Sequence, residues 1–291
     1  MTTARDRAGH ADVDLAAVEC GQRSDAFGLG LMATGKFDDG SRFLSAMFES
    51  TNRITFNVRV DEASAEWWTS EFYEPYGLTP EGIGDRLSTS WSGEKRMTVT
   101  ELDGVNKRFS IEISGQFDTA NFWLHDRTLD MGGKVMNANR MFISEDMRRL
   151  GVGRAFMRDA VSLCDTIGIR KIRIEAEDIG RYAWLRCGFV PDRGSWSNMR
   201  GGILTRLATA LPEIGQHRFH EVLKLVLDRD PAMARVIASL PDVVSSEIPT
   251  ADGPKMTTLG RALILEQQHN WIGEFDLDDR VSRELMNEGT Q

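Results

Sequence analysis

The chain has 291 residues, 41% hydrophobic and 27% charged, with a formal net charge of −9. That length admits two domains, and the acidic balance argues against broad nucleic-acid binding, which needs a basic face. It leaves room for an anionic small molecule held by a local basic cluster.

Cys20, Cys164 and Cys187 are far apart, with no C-x-x-C pair and no zinc spacing. No apolar run reaches membrane-spanning length, and the start has no charged segment leading into a compact apolar one. The expectation is a reduced, cytoplasmic chain with no membrane partner, no nucleic-acid partner and no metal.

Residues 1–45 show little periodicity and read as a loosely packed leader. "RITFNVRV" (Arg53 to Val60) alternates apolar and polar positions, the pattern of a half-buried strand. "ASAEWWTSEFYEPYG" reads as a helix closed by Pro75 and Gly77, with Trp67 and Trp68 as packing residues. "KRMTVTELDG" and "KRFSIEISGQF" form a hairpin around Asp103-Gly104, and two further strands flank Gly132-Gly133.

From Val152 the period changes. Val152, Phe156, Ala160, Leu163, Cys164 and Ile167 fall on one helical face, and Gly168 stops the helix. "IRKIRIEAE" follows as a strand with Ile172, Ile174 and Ala176 on one face. Strand, helix, strand implies a crossover between parallel strands. "GRYAWLRCGFVP" reads as a short helix stopped by Gly188, then a final strand.

Beyond residue 200 the segments look helical, and "WIGEFDLDDRVSRELM" reads as a turn and a last helix capped by Asp278 or Asp279. His217-x-x-His220 has metal spacing but no third ligand nearby, so surface histidines are expected. The chain divides into the leader, a domain at 46–200 and a helical extension at 201–291.

The stretch with chemistry in it is "RMFISEDMRRLGVG" (Arg140 to Gly153). A strand leads through a loop into a helix whose first turn exposes unpaired N–H groups, worth about half a positive charge. Gly151 and Gly153 would let a bulky anion approach the backbone without meeting Cβ atoms. Arg148, Arg149, Arg154 and Arg158 add charge. A phosphate or pyrophosphate suits such a turn. No G-K-[ST] follows, so this is not a P-loop. Phe156 stands where a Rossmann fingerprint wants a small residue.

Arg148-x-x-Gly151-x-Gly153 resembles the coenzyme A loop of the GNAT superfamily of acyl-CoA N-acyltransferases. "EDIGRYAWLRCGF" (Glu177 to Phe189) is similar to the short helix and Gly-Phe stop after that family's fifth strand. The resemblance implies an α+β fold, a mixed, mostly antiparallel sheet flanked by helices, here with a helical C-terminal extension.

It implies acetyl-CoA as co-substrate and an amine acceptor, a small molecule or a protein. Backbone groups around Phe142 and Ile143 would pair with the pantetheine arm. Amides of Arg149, Leu150, Gly151, Val152, Gly153 and Arg154 would hold the pyrophosphate beside Arg148. Trp184 takes the place where the family often has a tyrosine acid. Indole cannot donate a useful proton, so Trp184 is expected only to line the coenzyme. Glu145, Glu175 and Glu177 are the candidate bases, the last two expected on one side of their strand.

The rival reading is a non-catalytic GNAT-fold module, similar to those of phage-related and multi-domain bacterial proteins. In it the C-terminal helices would dock a partner or a second copy. A third reading keeps the fold and changes the acyl donor.

Overall fold

The computed structural model describes residues 46–116, 121–148, 150–246 and 255–288. The expected leader, Cys20 and Arg149 therefore lie outside the described residues.

After a short strand β1 (Ile54–Phe56), helix α1 (Glu62–Trp68) starts on Asp61, whose Oδ1 accepts the Ser64 N–H at 2.8 Å. That bond satisfies one of the orphan donors of a helix start. The helix widens into a π turn at Thr69–Tyr73, and Gly77 ends it at φ 66°. Trp67 and Trp68 are core residues, and Trp68 Nε1 donates to the Leu78 carbonyl at 2.9 Å. Helix α2 (Pro80–Leu87), which the sequence pattern did not reveal, carries Thr79 as its cap and proline at its first position.

Two hairpins follow: β2 (Lys95–Asp103) with β3 (Arg108–Gln116), then β4 (Phe122–Asp130) with β5 (Val135–Ile143). Helix α3 (Val152–Ile167) buries Phe156, Met157, Ala160, Leu163, Cys164 and Ile167, and stops at Gly168, φ 74°. Strand β6 (Lys171–Ala176), helix α4 (Gly180–Arg186) and strand β7 (Val190–Pro191) come next. The long helix α5 (Arg193–Leu227) is interrupted at Gly215, three residues beyond Pro212. Then come α6 (Met233–Ala238), the small β8–β9 ladder (Val243–Ser245, Met256–Thr258), α7 (Leu259–Leu265), β10 (Trp271–Asp276) and α8 (Arg280–Asn287).

Among the described residues eight strands form one sheet in the order β1-β2-β3-β4-β5-β6-β10-β7. Every pairing in it is antiparallel except β1 with β2 and β5 with β6. Strand alternation turns Phe109, Ile111, Ile113, Trp123, Met136, Ile172, Ile174 and Phe275 to one buried face. Trp68 packs there on Phe109 at 4.7 Å between ring centroids, and Phe156 of α3 packs on Trp123 at 4.4 Å. Each such ring stabilises the fold by roughly 1.5–3 kcal/mol on burial. The α+β, mostly antiparallel architecture is the one expected.

The strand expected over Arg53 to Val60 is confined to Ile54–Phe56, and a segment of the tail also differs from its expectation. Trp271–Asp276 is a strand, not a turn, and lies between β6 and β7. Its alternation is masked by Gly273 standing between Trp271 and Phe275. That glycine is needed because a Cβ there would lie 2.3 Å from the Val190 carbonyl oxygen. Among the described residues, the region after residue 200 thus holds most of α5, three further helices, the β8–β9 ladder and a strand of the main sheet. Asp279 caps α8, accepting from the Val281 and Ser282 N–H groups.

Candidate functional site

The parallel pairing of β5 with β6 covers only Val135 to Ala138 against Lys171 to Ile174. Beyond it, β5 from Arg140 to Ile143 pairs with β4 alone, and Glu175 and Ala176 pair with β10 alone. The two strands part at a bulge: Asp126 faces Arg140 and Arg127 faces Ala138, so Asn139 is the extra residue. A bulge bends its strand and leaves one residue out of the ladder. Asn139 is tied down on the open face of the sheet, its Nδ2 donating to Thr128 Oγ1 at 2.9 Å and Asp126 Oδ1 at 3.2 Å.

The parting strand β5 runs through a single 3-10 turn (Glu145–Met147) into α3. Gly151, at φ 78°, begins that helix with no side-chain cap, and no acidic residue lies in its first turn. The first backbone bond of the helix is Ala155 N–H to the Gly151 carbonyl at 2.9 Å. The N–H groups of Val152, Gly153 and Arg154 precede it, the arrangement that receives anions.

The two glycines differ in use. A Cβ at Gly151 would meet nothing within 4 Å, so glycine is required there by the left-handed backbone. A Cβ at Gly153 would lie 3.3 Å from Ile143 Cδ1, 3.4 Å from Met141 Sδ and 3.9 Å from Trp184 Cη2. Gly153 therefore lets α3 press onto β5 and α4, rather than clearing space for a ligand. Trp184 fills the corner, its ring 5.7 Å from Phe189.

The arginines also sort themselves. Arg148 Nε donates to the Ile143 carbonyl at 3.1 Å, at the end of the parting strand. The Arg154 side chain turns to the Glu288 carbonyl at 2.6 Å, away from the ring of charge expected at the turn, while its backbone N–H stays in the first turn of α3. Arg158 lines a groove of about 440 Å³ with Asp165, Phe275 and Arg283. Leu150 is 71% exposed beside Gly151.

Of the acidic candidates, Glu145 opens the loop, and Glu175 is the first residue of β6 beyond its last partner on β5. All three are exposed. The alternation expected to carry Glu175 and Glu177 together stops at Ala176, where the strand ends. Glu177 lies in the following turn and accepts from Asn270 Nδ2 at 3.3 Å.

Phe142 is 40% exposed and stacks on Phe122 at 5.0 Å. His217 and His220 lie on α5, beside Glu221 and the Gln216 carbonyl. No group of three or more metal-ligating side chains occurs among the described residues, and no helix among them is long and apolar enough to cross a membrane.

Sequence reasoning missed the bulge, although the signal was there. Apolar positions step by two from Met136 to Ala138, then by three to Met141, then by two to Ile143. That slip of phase is what an extra residue in a strand looks like.

No family model matches the chain, and no curated protein matches it. Among solved structures it is similar to a nourseothricin acetyltransferase, at 20% identity and a TM-score of 0.25, over 30% of this chain and 52% of that one. The chain thus spans about half the length of that protein. It is also similar to an acetyltransferase of the GNAT family from Staphylococcus aureus Mu50, at 12% identity and a TM-score of 0.23, over 46% of this chain and 83% of that one. The described sheet has the mixed, mostly antiparallel order expected from the sequence, with β5 and β6 parting beyond Ala138.

Proposed function

We propose that the chain is an acyl-CoA-dependent N-acyltransferase, with acetyl-CoA as donor and an amine as acceptor. The observation that carries this reading is the parting of β5 from β6 at a bulge, followed by the uncapped start of α3. Backbone groups of Asn139 to Ile143 on the β6 side have no strand partner and suit an extended amide-bearing arm. The first-turn amides of α3 suit a pyrophosphate. The donor supplies an activated thioester; everything else falls to the chain.

Backbone N–H groups at the bulge would polarise a carbonyl placed in the gap. Glu175, on the strand facing the bulge across that gap, would take the proton of the attacking amine as the C–N bond forms and the thioester C–S bond breaks. The departing thiolate would be protonated from solvent to the free thiol. Glu145 and Glu177 stand further along the loop and turn. Trp184 would wall the slot beside Gly153 and exclude water. The rival reading, a non-catalytic module docking a partner through its tail, requires no donor binding and no turnover.

Release of free thiol from acetyl-CoA in the presence of a panel of primary amines tests the proposal. Turnover with at least one amine is expected. Glu175→Gln should lower kcat by about 10²-fold, within the usual range for a general base, with donor affinity unchanged. An equal rate in Glu175→Gln removes Glu175 from this role.

A further inference from the structure

Arg127 is fully buried in the middle of β4, on the face covered by α3. Its Nη1 donates to the carbonyl of Asp126 at 2.8 Å and to the carbonyl of Arg140 at 3.0 Å. Those two residues face each other at one edge of the bulge, and Arg127 itself faces Ala138 at the other. Among the described residues Nε and Nη2 of Arg127 have no hydrogen-bond partner. Burial pulls this guanidinium down to about 10, so it keeps its charge at neutral pH, in a core shared with His125 and Cys164.

A buried cation with two orphan donors is a costly choice for a core position. An apolar residue there would sit beside Ile111 and Cys164 without that cost. The guanidinium does what an apolar side chain cannot: it bridges carbonyls of two strands where the ladder is interrupted. On the opposite face Asn139 ties the extra residue to Thr128 and Asp126, and Thr128 Oγ1 lies 2.8 Å from Ser110 Oγ, which donates to Glu101 Oε2 at 2.8 Å. The bulge is held from both sides of the sheet.

We propose that Arg127 is a positioning residue: by bridging the Asp126 and Arg140 carbonyls it presets the bend at which β5 leaves β6, so that the slot is open before any ligand arrives. This rests on the acyl-CoA reading of the slot. Arg127 touches neither substrate; it acts through the backbone of Arg140.

The test compares Arg127→Met and Arg127→Lys with Leu129→Ala, a cavity variant two residues along the same strand and face, in the full chain. Coenzyme A affinity is read by calorimetry, amide exchange across Val135–Ile143 by mass spectrometry, and stability by thermal melting. Arg127→Met is expected to bind coenzyme A at least tenfold more weakly and to exchange at least tenfold faster around the bulge. Arg127→Lys should recover part of both. Leu129→Ala should lose comparable stability with neither local effect.

Equal losses in Arg127→Met and Leu129→Ala, or unchanged affinity and exchange in Arg127→Met, overturn the proposal. If Arg127→Met does not fold, Arg127→Lys against Leu129→Ala is the deciding pair, read in the same way. If the folded wild-type chain binds no coenzyme A, the acyl-CoA reading falls by itself. The exchange arm then decides about Arg127: acceleration confined to the bulge supports it, and uniform acceleration overturns it.

Discussion

At Gly151 the backbone turns to φ 78° with open space around the missing Cβ. Any L-residue there adopts a conformation that costs roughly 1 kcal/mol. Gly151→Ala is therefore expected to lower stability by about 1 kcal/mol in urea unfolding, and Gly151→Asn by less, since asparagine tolerates the left-handed region. A loss near zero for alanine would show that the turn relaxes to another shape.

Gly153 behaves differently, because a side chain there runs into Met141, Ile143 and Trp184. Substitution at 153 would disturb packing before it blocked a ligand. Both glycines were legible in the sequence as a helix mouth. What each glycine does was not, because strand β5, helix α4 and the local φ decide it. Arg127 was equally hidden: as "HDRTLD" it reads as one more charge in an alternating strand, and only the register places it beneath a bulge.

At the scale of elements, the helices with clean periodicity were readable, α3 with its Gly168 stop above all. So were the hairpins, although Lys107 and Lys134 take the left-handed positions in their turns, not the neighbouring glycines. Strand β10 was not readable, because its partners lie far away in sequence, Glu274 pairing with Arg173 and Val190. Six residues broken by glycine and followed by aspartates carry no local sign of that.

Helix α8 illustrates an element held from outside itself. Arg283 makes two hydrogen bonds to Asp165 of α3, at 2.6 and 2.9 Å, and Ser282 Oγ donates to the Gly188 carbonyl at 2.8 Å. The hydrogen bond from Arg283 holds the Asp165 carboxyl below the usual aspartate range, against the opposing effect of burial. A carboxylate depressed in the folded state contributes stability above its unfolded pKa, about 3.9, and loses it as pH falls through the lower folded value. Amide exchange in Arg280–Asn287 should therefore rise on acidification below about pH 4. In Asp165→Asn that acid step should vanish, with α8 already looser at pH 7. An acid step of unchanged size in Asp165→Asn would assign it to other carboxylates.

For the whole molecule, the tail closes the sheet. Strand β10 lies between β6 and β7, and Gly273 lets the Val190 carbonyl approach to within 2.3 Å of where a Cβ would stand. Gly273→Val is expected to destabilise the entire chain by about 1–3 kcal/mol, the usual cost of overpacking, and to do so in one cooperative melt. A separate, lower transition limited to the tail would show that residues after 200 form an independent unit.

The buried ion pair of Arg206 with Glu266 joins α5 to the end of α7, a further tie within the tail. The same architecture leaves the slot between β5 and β6 as the one place where two neighbouring strands of the described sheet part and a long helix begins uncapped beside them.

Calorimetric titration of acetyl-CoA into the 291-residue chain tests the central claim most directly, with Leu150→Glu as its control. Leu150 is exposed, and a carboxylate just before α3 favours the helix dipole while repelling an anion from the same N–H groups. Saturable binding to the wild-type chain is expected, weakened at least tenfold in Leu150→Glu with melting unchanged or slightly raised. A folded wild-type chain that gives no heat of binding, or binds equally well with glutamate at 150, would contradict the account.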